Sequence, residues 1–371
     1  MEINSKVIGI LGTAKNTGKT TTANYLLEWS NKEGIKVGLT SIGYDGEDID
    51  SITGLPKPRI HVKKGNLVGT AEQCFSVSKG KIEIVEKTPV TTSLGQVLIG
   101  KVLQEGLVIL AGPNKGKDLF YILQKLKKEK SQLILVDGAL NRMIPLIHCD
   151  ALILATGASR HTDIDLLVDE TESIIRAFNI PLREKQKISN QEIMQHHNNN
   201  IVIFQKNGYK RQLKSHSLIS QKILNNLIDS IDEKETEEIY IPGIVQDNIL
   251  KKIAEQYSEL FKGKTILINN PTFLLVGTRD INHLMDIIED ILNKGINIKT
   301  LYNLPILAVT INPFYPKYSR FGKDSYEMAW IDGYQLYQKM RNRLALPVTN
   351  IMGEESPKLV TVIKKFLNIN R

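Results

Sequence analysis

The sequence predicts an α/β fold, with a doubly wound, mostly parallel sheet followed by a second α/β domain. Short continuous apolar runs alternate with segments of helical period, the pattern of strands and crossover helices in a sheet that is covered on both faces. The chain of 371 residues is also longer than one typical core, so two domains are expected.

The strands predicted for the first domain are apolar runs that end at a glycine, an alanine or a threonine. They cover residues 6–12, 36–43, 106–112, 133–139 and 150–156. The helices predicted between them cover residues 19–33, 118–130 and 164–178. Because crossovers between parallel strands are right-handed, we expect the carboxyl ends of the strands, and the loops that bind ligands, along one edge of the sheet.

Two segments interrupt this alternation. Residues 52–96 are rich in Gly, Lys and Thr, and predict a β-rich insertion over the ligand face. Residues 183–200 are polar and predict a solvated linker. This segment contains the adjacent His196 and His197, but no set of further ligands that would predict a metal site. The predicted domains are therefore residues 1–182 and 201–371, the second serving partner interaction. Its predicted helices cover residues 247–262, 281–294 and 326–344.

Composition narrows the classes of partner. The formal net charge is +8, but the lysines are scattered over helix faces, so nucleic acid is not the expected partner. No apolar run of about 18 residues is present, so no membrane span is expected. Cys74 and Cys149 lie far apart without a CxxC motif, which argues against structural zinc and a disulfide and favours a cytoplasmic location.

The most informative segment is the loop GTAKNTGKT, from Gly12 to Thr20. The strict phosphate-loop pattern, Gly, four residues, then Gly-Lys-Ser/Thr, would place the opening glycine at Thr13, so Gly12 comes one position early. A phosphate cradle needs backbone N–H groups at a helix N-terminus, a cation and a hydroxyl, all of which this loop supplies. It therefore predicts a bound nucleotide, ATP in the first instance. The residues expected to bind it are Gly12, Thr13, Ala14, Lys15, Asn16, Thr17, Gly18, Lys19, Thr20 and Thr21.

Four side chains are candidates for catalysis and for binding Mg²⁺. Lys19 would bridge the terminal phosphates, and Thr20 would offer its hydroxyl to the metal ion. Asp137 ends the apolar run LILVD, where a carboxylate can hold the same ion. Asp45 lies in GYDGED, after the second strand. It has either a functional role, in which it tunes the metal ion, orients a water or holds a substrate amine, or no such role, as part of a solvated turn. The predicted catalytic residues are Lys19, Asp137 and Asp45, and the predicted metal ligands are Thr20, Asp137 and Asp45.

Three more polar residues follow strands at the same predicted edge. Arg142 comes after the strand that carries Asp137, and Arg160 and His161 lie in ATGASRHTD after the next strand. Contacts to a base or a substrate usually fall at these positions, so the three residues are candidates for them.

The loop GTAKNTGKT resembles the Gly-Thr, four residues, Gly-Lys-Thr loop of dethiobiotin synthetases and related amide-forming ATPases. The resemblance covers about the first half of the chain and implies a P-loop domain of the dimer-activated branch that includes MinD-like proteins. Two positions depart from these relatives. Dethiobiotin synthetases carry a lysine-proline motif where this chain has SIGYDGED, and the signature lysine of MinD-like proteins falls at Ala14, next to Lys15.

The whole chain resembles the family of reactivase subunits of adenosylcobalamin-dependent lysine 5,6-aminomutase. The shared features are the loop, VDGALNR, LATGASR and KKGNLVGTAE. The resemblance implies an ATP-dependent accessory factor in lysine degradation, which works with a MutS-like ATPase partner to restore cobalamin-inactivated enzyme. No DxHxxG-type cobalamin-ligating motif occurs in the chain, so the cobalamin would belong to the client enzyme.

Two functions of different classes follow. An Mg-ATP switch that acts on a partner protein is favoured, because the sequence has no substrate-handling motif beyond the nucleotide site. The aminomutase, a MutS-like ATPase subunit or both are the expected partners, and a homodimer is possible. The alternative is a dethiobiotin-synthetase-like ligase that activates a small carboxylic acid, with Lys63, Lys64 and Thr92 forming the acid pocket. A non-hydrolysing scaffold is a third option.

Overall fold

The structure, a computed structural model, describes residues 5–45, 59–184, 193, 200–302, 304–319, 325–353 and 357–369. The side chains of residues 44, 45, 141, 144, 319, 325 and 357 lie outside that description. The chain divides into two compact units: unit 1 comprises Met1–Val168 and Pro305–Arg371, and unit 2 comprises Asp169–Leu304. This division differs from the predicted one, because residues 305–371 belong to the first unit.

The described residues contain twenty strands, numbered here in chain order. They are β1 (Lys6–Gly12), β2 (Val37–Ser41), β3 (Tyr44–Asp45), β4 (Ile60–Val62), β5 (Leu67–Ala71), β6 (Lys81–Thr92), β7 (Gly95–Gln104), β8 (Gly106–Val108), β9 (Leu110–Ala111), β10 (Leu133–Ala139), β11 (Ala151–Gly157), β12 (Ile201–Gln205), β13 (Lys210–Leu213), β14 (Thr236–Ile241), β15 (Thr265–Ile268), β16 (Asn297–Thr300), β17 (Ile306–Asn312), β18 (Phe314–Ser319), β19 (Ser325–Trp330) and β20 (Val348–Asn350).

The described residues also contain eleven α-helices. They are α1 (Lys19–Lys32), α2 (Glu72–Val77), α3 (Gly116–Lys128), α4 (Ile164–Phe178), α5 (Gln221–Ile228), α6 (Asp247–Gln256), α7 (Ser258–Phe261), α8 (Thr272–Leu275), α9 (Ile281–Asn293), α10 (Gly333–Arg343) and α11 (Pro357–Phe366). Two short 3-10 turns, Leu140–Arg142 and Ile144–His148, follow β10. No helix in the described ranges is both long enough and apolar enough to span a bilayer.

Unit 1 is built on a nine-stranded sheet in the order β20-β17-β11-β1-β10-β2-β5-β7-β6. The first seven strands of this order are parallel, and β7 and β6 continue the sheet as an antiparallel hairpin. Every residue of β11 is buried, as expected for a strand between two covered faces. The predicted mixed α/β class with a large, mostly parallel sheet is confirmed.

Helix α1 covers part of this sheet. Its inward side buries Ala23, Leu26 and Leu27, which share one apolar cluster with Ile8 and Ile10 of β1. These positions recur at helical spacing, so a single face of α1 meets the core. Because α1 starts directly after the loop of β1, this packing also fixes where the amino end of the helix lies.

The insertion is β-rich, but its described part extends the sheet. Strand β5 pairs with β2 in parallel, and β7 and β6 follow it outward. The predicted strand 106–112 is split into β8 and β9, which pair with β4 and β3 in two small sheets and do not join the large one. Hydrophobic periodicity marks a strand but does not say which sheet it joins.

The predicted helix 326–344 is wrong at its amino end. Tyr326, Met328 and Trp330 alternate with smaller or polar residues, a period of two, and β19 pairs with β18 as an antiparallel ribbon. The helix begins only at Gly333, where the Asp332 carboxylate accepts a hydrogen bond from a backbone N–H of the first turn.

Unit 2 is built on a five-stranded sheet in the order β13-β12-β14-β15-β16. Strands β14, β15 and β16 are parallel, whereas β12 is antiparallel to both of its neighbours. Helix α6 lies between β14 and β15 in the chain, and α9 lies between β15 and β16.

The predicted linker 183–200 contributes to the core of unit 2. Arg183 is buried, and its Nη2 donates to Oε2 of Glu238 at 2.7 Å. Ile193 is also buried, in a cluster with Val202 and Tyr240. His196 and His197 lie outside the described residues.

Candidate functional site

The carboxyl ends of three neighbouring strands in unit 1 bring the predicted site residues to one edge. In the register of β1 and β10, Ile10 pairs with Asp137. On the other side of β1, Gly12 pairs with Ala155 of β11. The loop that leaves β1 therefore lies between the ends of β10 and β11, at the edge where open parallel sheets bind ligands.

The position of the early glycine has a steric cause. A Cβ added at Gly12 would lie 2.6 Å from Cγ of Lys19, and closer still to its Cδ. The aliphatic stem of Lys19 therefore folds back over the backbone of Gly12, towards the sheet. A side chain at position 12 would push that stem away, so the glycine is needed here even though the strict pattern expects it one residue later.

The loop ends in a left-handed residue that opens a helix. Gly18 has a φ of 89° and precedes α1, and Asn16 is also left-handed with a φ of 61°. No side chain caps this helix end, and its first turn carries no acidic residue. The positive end of the helix dipole favours an anion at such a helix end, where backbone N–H groups of the first turn can bind it.

Neighbouring strands hold the loop in place. The Thr13 N–H donates to the Ala155 carbonyl at 3.0 Å, and the Thr13 and Thr156 hydroxyls are 3.0 Å apart. At the crest of the loop, Nδ2 of Asn312 donates to the Asn16 carbonyl at 2.8 Å. Asn312 ends β17, so the loop is anchored from both β11 and β17. A loop fixed in this way loses little entropy when a ligand binds.

Asp137 lies near the carboxyl end of β10, next to the strand that leads into this loop, and Thr20 lies in the helix that follows the loop. Asp137 is 8% exposed at the end of β10, and its backbone carbonyl accepts from the Ile42 N–H at 2.8 Å. Thr20 is half-buried in the first turn of α1, next to Lys19. A buried carboxylate and a hydroxyl on adjacent elements are oxygen donors of the kind that Mg²⁺ takes.

The loops after β2 and β10 meet beside Asp137. Gly43 follows β2 with a φ of 71°, and a Cβ there would lie 2.7 Å from Oδ1 of Asn114 and 3.4 Å from Cζ of Arg142. The Gly112 N–H donates to the Gly43 carbonyl at 3.1 Å, which ties the same loop to the residue after β9. Arg142, one of the predicted contact residues, thus lies against the backbone of the loop that follows β2.

The other predicted residues have different outcomes. Asp45 lies in β3 opposite Leu110, but its side chain is outside the described part of the structure. Lys15 is exposed on the loop, and Arg160 and His161 are half-buried after β11. In the ranges that the structure describes, no group of three or more His, Cys, Asp or Glu side chains is arranged to hold a metal ion.

The acid pocket suggested for a ligase is not assembled. Thr92 is the last residue of β6, and its hydroxyl donates to the carbonyl of Gly95, the first residue of β7, at 3.0 Å. Lys63 and Lys64 precede Gly65, whose N–H donates to the Val102 carbonyl. Val102 lies roughly 20 Å from Gly95 along β7. The two lysines and the threonine therefore lie towards opposite ends of one strand.

Sequence reasoning missed Asn312, Thr156 and Asn114. Asn312 lies in TINPF, which reads as ordinary turn chemistry because Asn-Pro is common at strand ends. Its contact with the loop spans 296 positions in the chain, so only the strand order of the sheet reveals it. Comparison with protein-family models, curated proteins and solved structures finds no match, so the geometry of the site carries the functional argument.

Proposed function

We propose that this chain is an Mg-ATP switch that acts on a partner protein, as an accessory or reactivating factor for an adenosylcobalamin-dependent aminomutase of the lysine 5,6-aminomutase kind. The observation that supports this most is the loop in which Lys19 folds over Gly12 beside an uncapped helix end. That arrangement fits a chain of phosphates. In this proposal unit 1 is a doubly wound P-loop domain.

The residues present fit a nucleotide with its metal ion. The amide groups that open α1 and the Lys19 ammonium would hold the phosphates, while Thr20 and Asp137 would hold Mg²⁺. The bound ion would neutralise part of the phosphate charge. Asp45 remains a proposed third acidic group, to orient a water or tune the ion. Lys19 would lie near the charge that develops during phosphoryl transfer and stabilise it.

The switch would lie in the loops after β2 and β10. Gly43 and Arg142 are in contact there, next to the strand end that carries Asp137. A terminal phosphate paired with Arg142, or a metal ion held by Asp137, would change the contacts of the Gly43 loop. Loss of that phosphate would release both loops, the usual way in which a phosphate is converted into a conformational change.

The ribbon of β18 and β19 offers a surface for the partner. One of its faces carries only apolar and aromatic side chains, in the cross-strand pairs Phe314–Trp330, Pro316–Met328 and Tyr318–Tyr326. Trp330 is 58% exposed and Met328 56%. Exposed apolar patches of this kind mark interaction sites. The ribbon starts two residues after Asn312, so a partner bound to it would sense the nucleotide loop.

The test is ATP turnover by the full chain, measured alone, with inactivated aminomutase plus the MutS-like subunit, and with small carboxylic acids. The proposal predicts low turnover alone and stimulation by the proteins. Stimulation by a carboxylic acid alone, with formation of an amide or lactam, would favour the ligase function and contradict the switch.

Two variants of the ribbon locate the partner surface. Met328→Ser/Trp330→Ser removes apolar groups from the exposed face and should abolish stimulation by the proteins while leaving the basal turnover unchanged. Glu327→Ser, on the opposite face of the same strand, is the matched control and should keep the stimulation. Equal stimulation of both variants would show that the partner binds elsewhere.

A further inference from the structure

One side chain, Ser159, lies between the candidate phosphate loop and the ribbon of β18 and β19. It is half-buried in the turn that follows β11. Its Oγ donates to the carbonyl of Phe314, the first residue of β18, at 3.2 Å. The carbonyl oxygen of Asn16, at the crest of the loop, is 3.5 Å from the same Oγ. A serine hydroxyl has one proton, so the two carbonyls compete for a single donor.

The backbone on either side of Ser159 is held by hydrogen bonds. The Ala158 N–H donates to the Asn312 carbonyl at 2.9 Å, and the Arg160 N–H donates to the Gly157 carbonyl at 2.8 Å. A Cβ added at Gly157 would lie 2.1 Å from the Asn312 carbonyl oxygen, so the close approach of the ends of β11 and β17 requires a glycine. The Ser159 hydroxyl can therefore change its acceptor by rotating, with little movement of the backbone.

The Asn16 carbonyl shares its peptide group with the N–H of Thr17. The carbonyl accepts from Nδ2 of Asn312 at 2.8 Å, and its second lone pair is suited to another donor. The Thr17 N–H points the opposite way, as in any trans peptide. Among the residues that the structure describes, no backbone carbonyl accepts from this N–H. An anion bound to it would polarise the peptide group and make the Asn16 carbonyl a stronger acceptor.

Phe314 connects the anchor of the loop to the exposed face of the ribbon. Its N–H donates to Oδ1 of Asn312 at 3.1 Å. Its ring meets the Trp330 ring edge-on, with the two ring centroids 5.8 Å apart. Trp330 is 58% exposed and is one of the two tryptophans of the chain. A change at the Phe314 carbonyl is therefore expected to alter the surroundings of an indole that can be observed by itself.

We propose that the Ser159 hydroxyl is a two-position relay that communicates nucleotide binding at the loop to the ribbon. The relay requires a phosphate at the loop and so rests on the proposed function. Without nucleotide the hydroxyl donates to the Phe314 carbonyl, the shorter of its two contacts. A phosphate that accepts from the Thr17 N–H strengthens the Asn16 carbonyl as an acceptor, and the hydroxyl turns to it. One hydrogen bond is exchanged for another.

The exchange changes the start of the ribbon. The Phe314 carbonyl loses its serine donor, and the Phe314 ring shifts against Trp330. The apolar face proposed for the partner therefore differs between the free and the nucleotide-bound chain. Because two hydrogen bonds of similar length are exchanged, the two states lie close in free energy, as a ligand-driven switch requires. By linkage, a partner that prefers one state of the ribbon changes the affinity of the loop for nucleotide.

The test measures the indole N–H resonance of Trp330 and the affinity for Mg-ATP on the same samples of the full chain. Saturating Mg-ATP should shift the Trp330 resonance in the wild type. Ser159→Ala should lose most of this shift and still bind Mg-ATP within about threefold of the wild type, because only a long hydrogen bond to the loop is lost. Thr162→Ala, which removes an exposed hydroxyl from the same segment, is the matched control and should keep the full shift.

A second variant, Ser159→Cys, keeps the shape with a much weaker donor and should lose the shift as Ser159→Ala does, so it carries the test if the alanine variant is unstable. A full Trp330 shift in these variants, or a wild type that binds Mg-ATP without any Trp330 shift, overturns the relay and leaves the nucleotide site standing. Loss of Mg-ATP binding in both variants also overturns it, since the hydroxyl would then serve binding itself. A wild type that does not bind Mg-ATP overturns both the relay and the proposed function.

Discussion

At the scale of single residues, the contact between Gly12 and Lys19 gives a physical reason for the glycine that comes one position before the strict phosphate-loop pattern. The strict pattern expects the glycine at a fixed position, residue 13. In the structure the aliphatic stem of Lys19 lies over residue 12, so residue 12 is the one that must lack a side chain. The sequence predicted the loop from its charge, its hydroxyl and its helix. It did not predict which residue lies beneath the lysine, because that depends on how the side chain folds back.

Gly12→Ala tests this contact. The added Cβ must displace the Lys19 stem, so we expect ATP turnover to fall about 10²-fold, the order of loss for a misplacement of about 1 Å. The stem is flexible, so the free energy of unfolding should fall by no more than about 1 kcal/mol. Turnover at the wild-type rate would show that the lysine does not need to lie over position 12.

For Arg183, the composition of the neighbouring sequence led to a wrong prediction. Arg183 is the first residue of a polar stretch that predicts a linker. Its side chain is nevertheless only 2% exposed and forms a bidentate ion pair with Glu238, whose side chain is 3% exposed. Its partner lies 55 positions away, beyond what local composition can report.

Arg183→Met should destabilise the protein by about 3–5 kcal/mol in urea unfolding, because it leaves a buried carboxylate without its partner. The double variant Arg183→Met/Glu238→Leu should recover most of that loss, since it removes both charges. If the double variant is as unstable as the single one, the loss comes from packing and the ion pair is not its cause.

At the scale of elements, the end of β17 is the least expected part of the site. The strand returns from the far part of the sequence and delivers Asn312 to the crest of the loop. The sequence predicts these residues in the second domain, residues 201–371. Only the pairing of β17 with β11 reveals that this strand belongs to the sheet edge that carries the candidate site.

Asn312→Asp replaces the donor Nδ2 by an oxygen that faces the Asn16 carbonyl. We expect the affinity for Mg-ATP to fall about tenfold, equivalent to about 1.4 kcal/mol, because a hydrogen bond that shapes the loop becomes a repulsion. Asn350→Asp is the matched control on the neighbouring strand β20. There the side chain acts through Oδ1, which accepts from the Met352 N–H at 3.1 Å, and aspartate keeps that acceptor. An equal loss in both variants would point to added negative charge alone.

At the scale of the whole molecule, alternating apolar runs and helical periods predicted the class of fold and the large parallel sheet. They did not predict how the chain is shared between the units, because residues 305–371 rejoin unit 1 after unit 2 is complete. Strand pairing across such distances depends on the packing of the entire sheet, and a local window does not contain that information. The carboxyl-edge rule still located the candidate site, since it depends only on where parallel strands end.

The central claim is that the loop between β1 and α1 binds a nucleoside triphosphate together with its metal ion. Isothermal titration of the full chain with ATP at millimolar Mg²⁺ tests it most directly, with Lys19→Ala beside Lys32→Ala, a lysine at the exposed far end of the same helix. We expect one site per chain in the wild type and in Lys32→Ala, and affinity weakened roughly 10- to 100-fold in Lys19→Ala. Absence of heat with any purine nucleotide, or equal affinity in Lys19→Ala and the wild type, would contradict the claim.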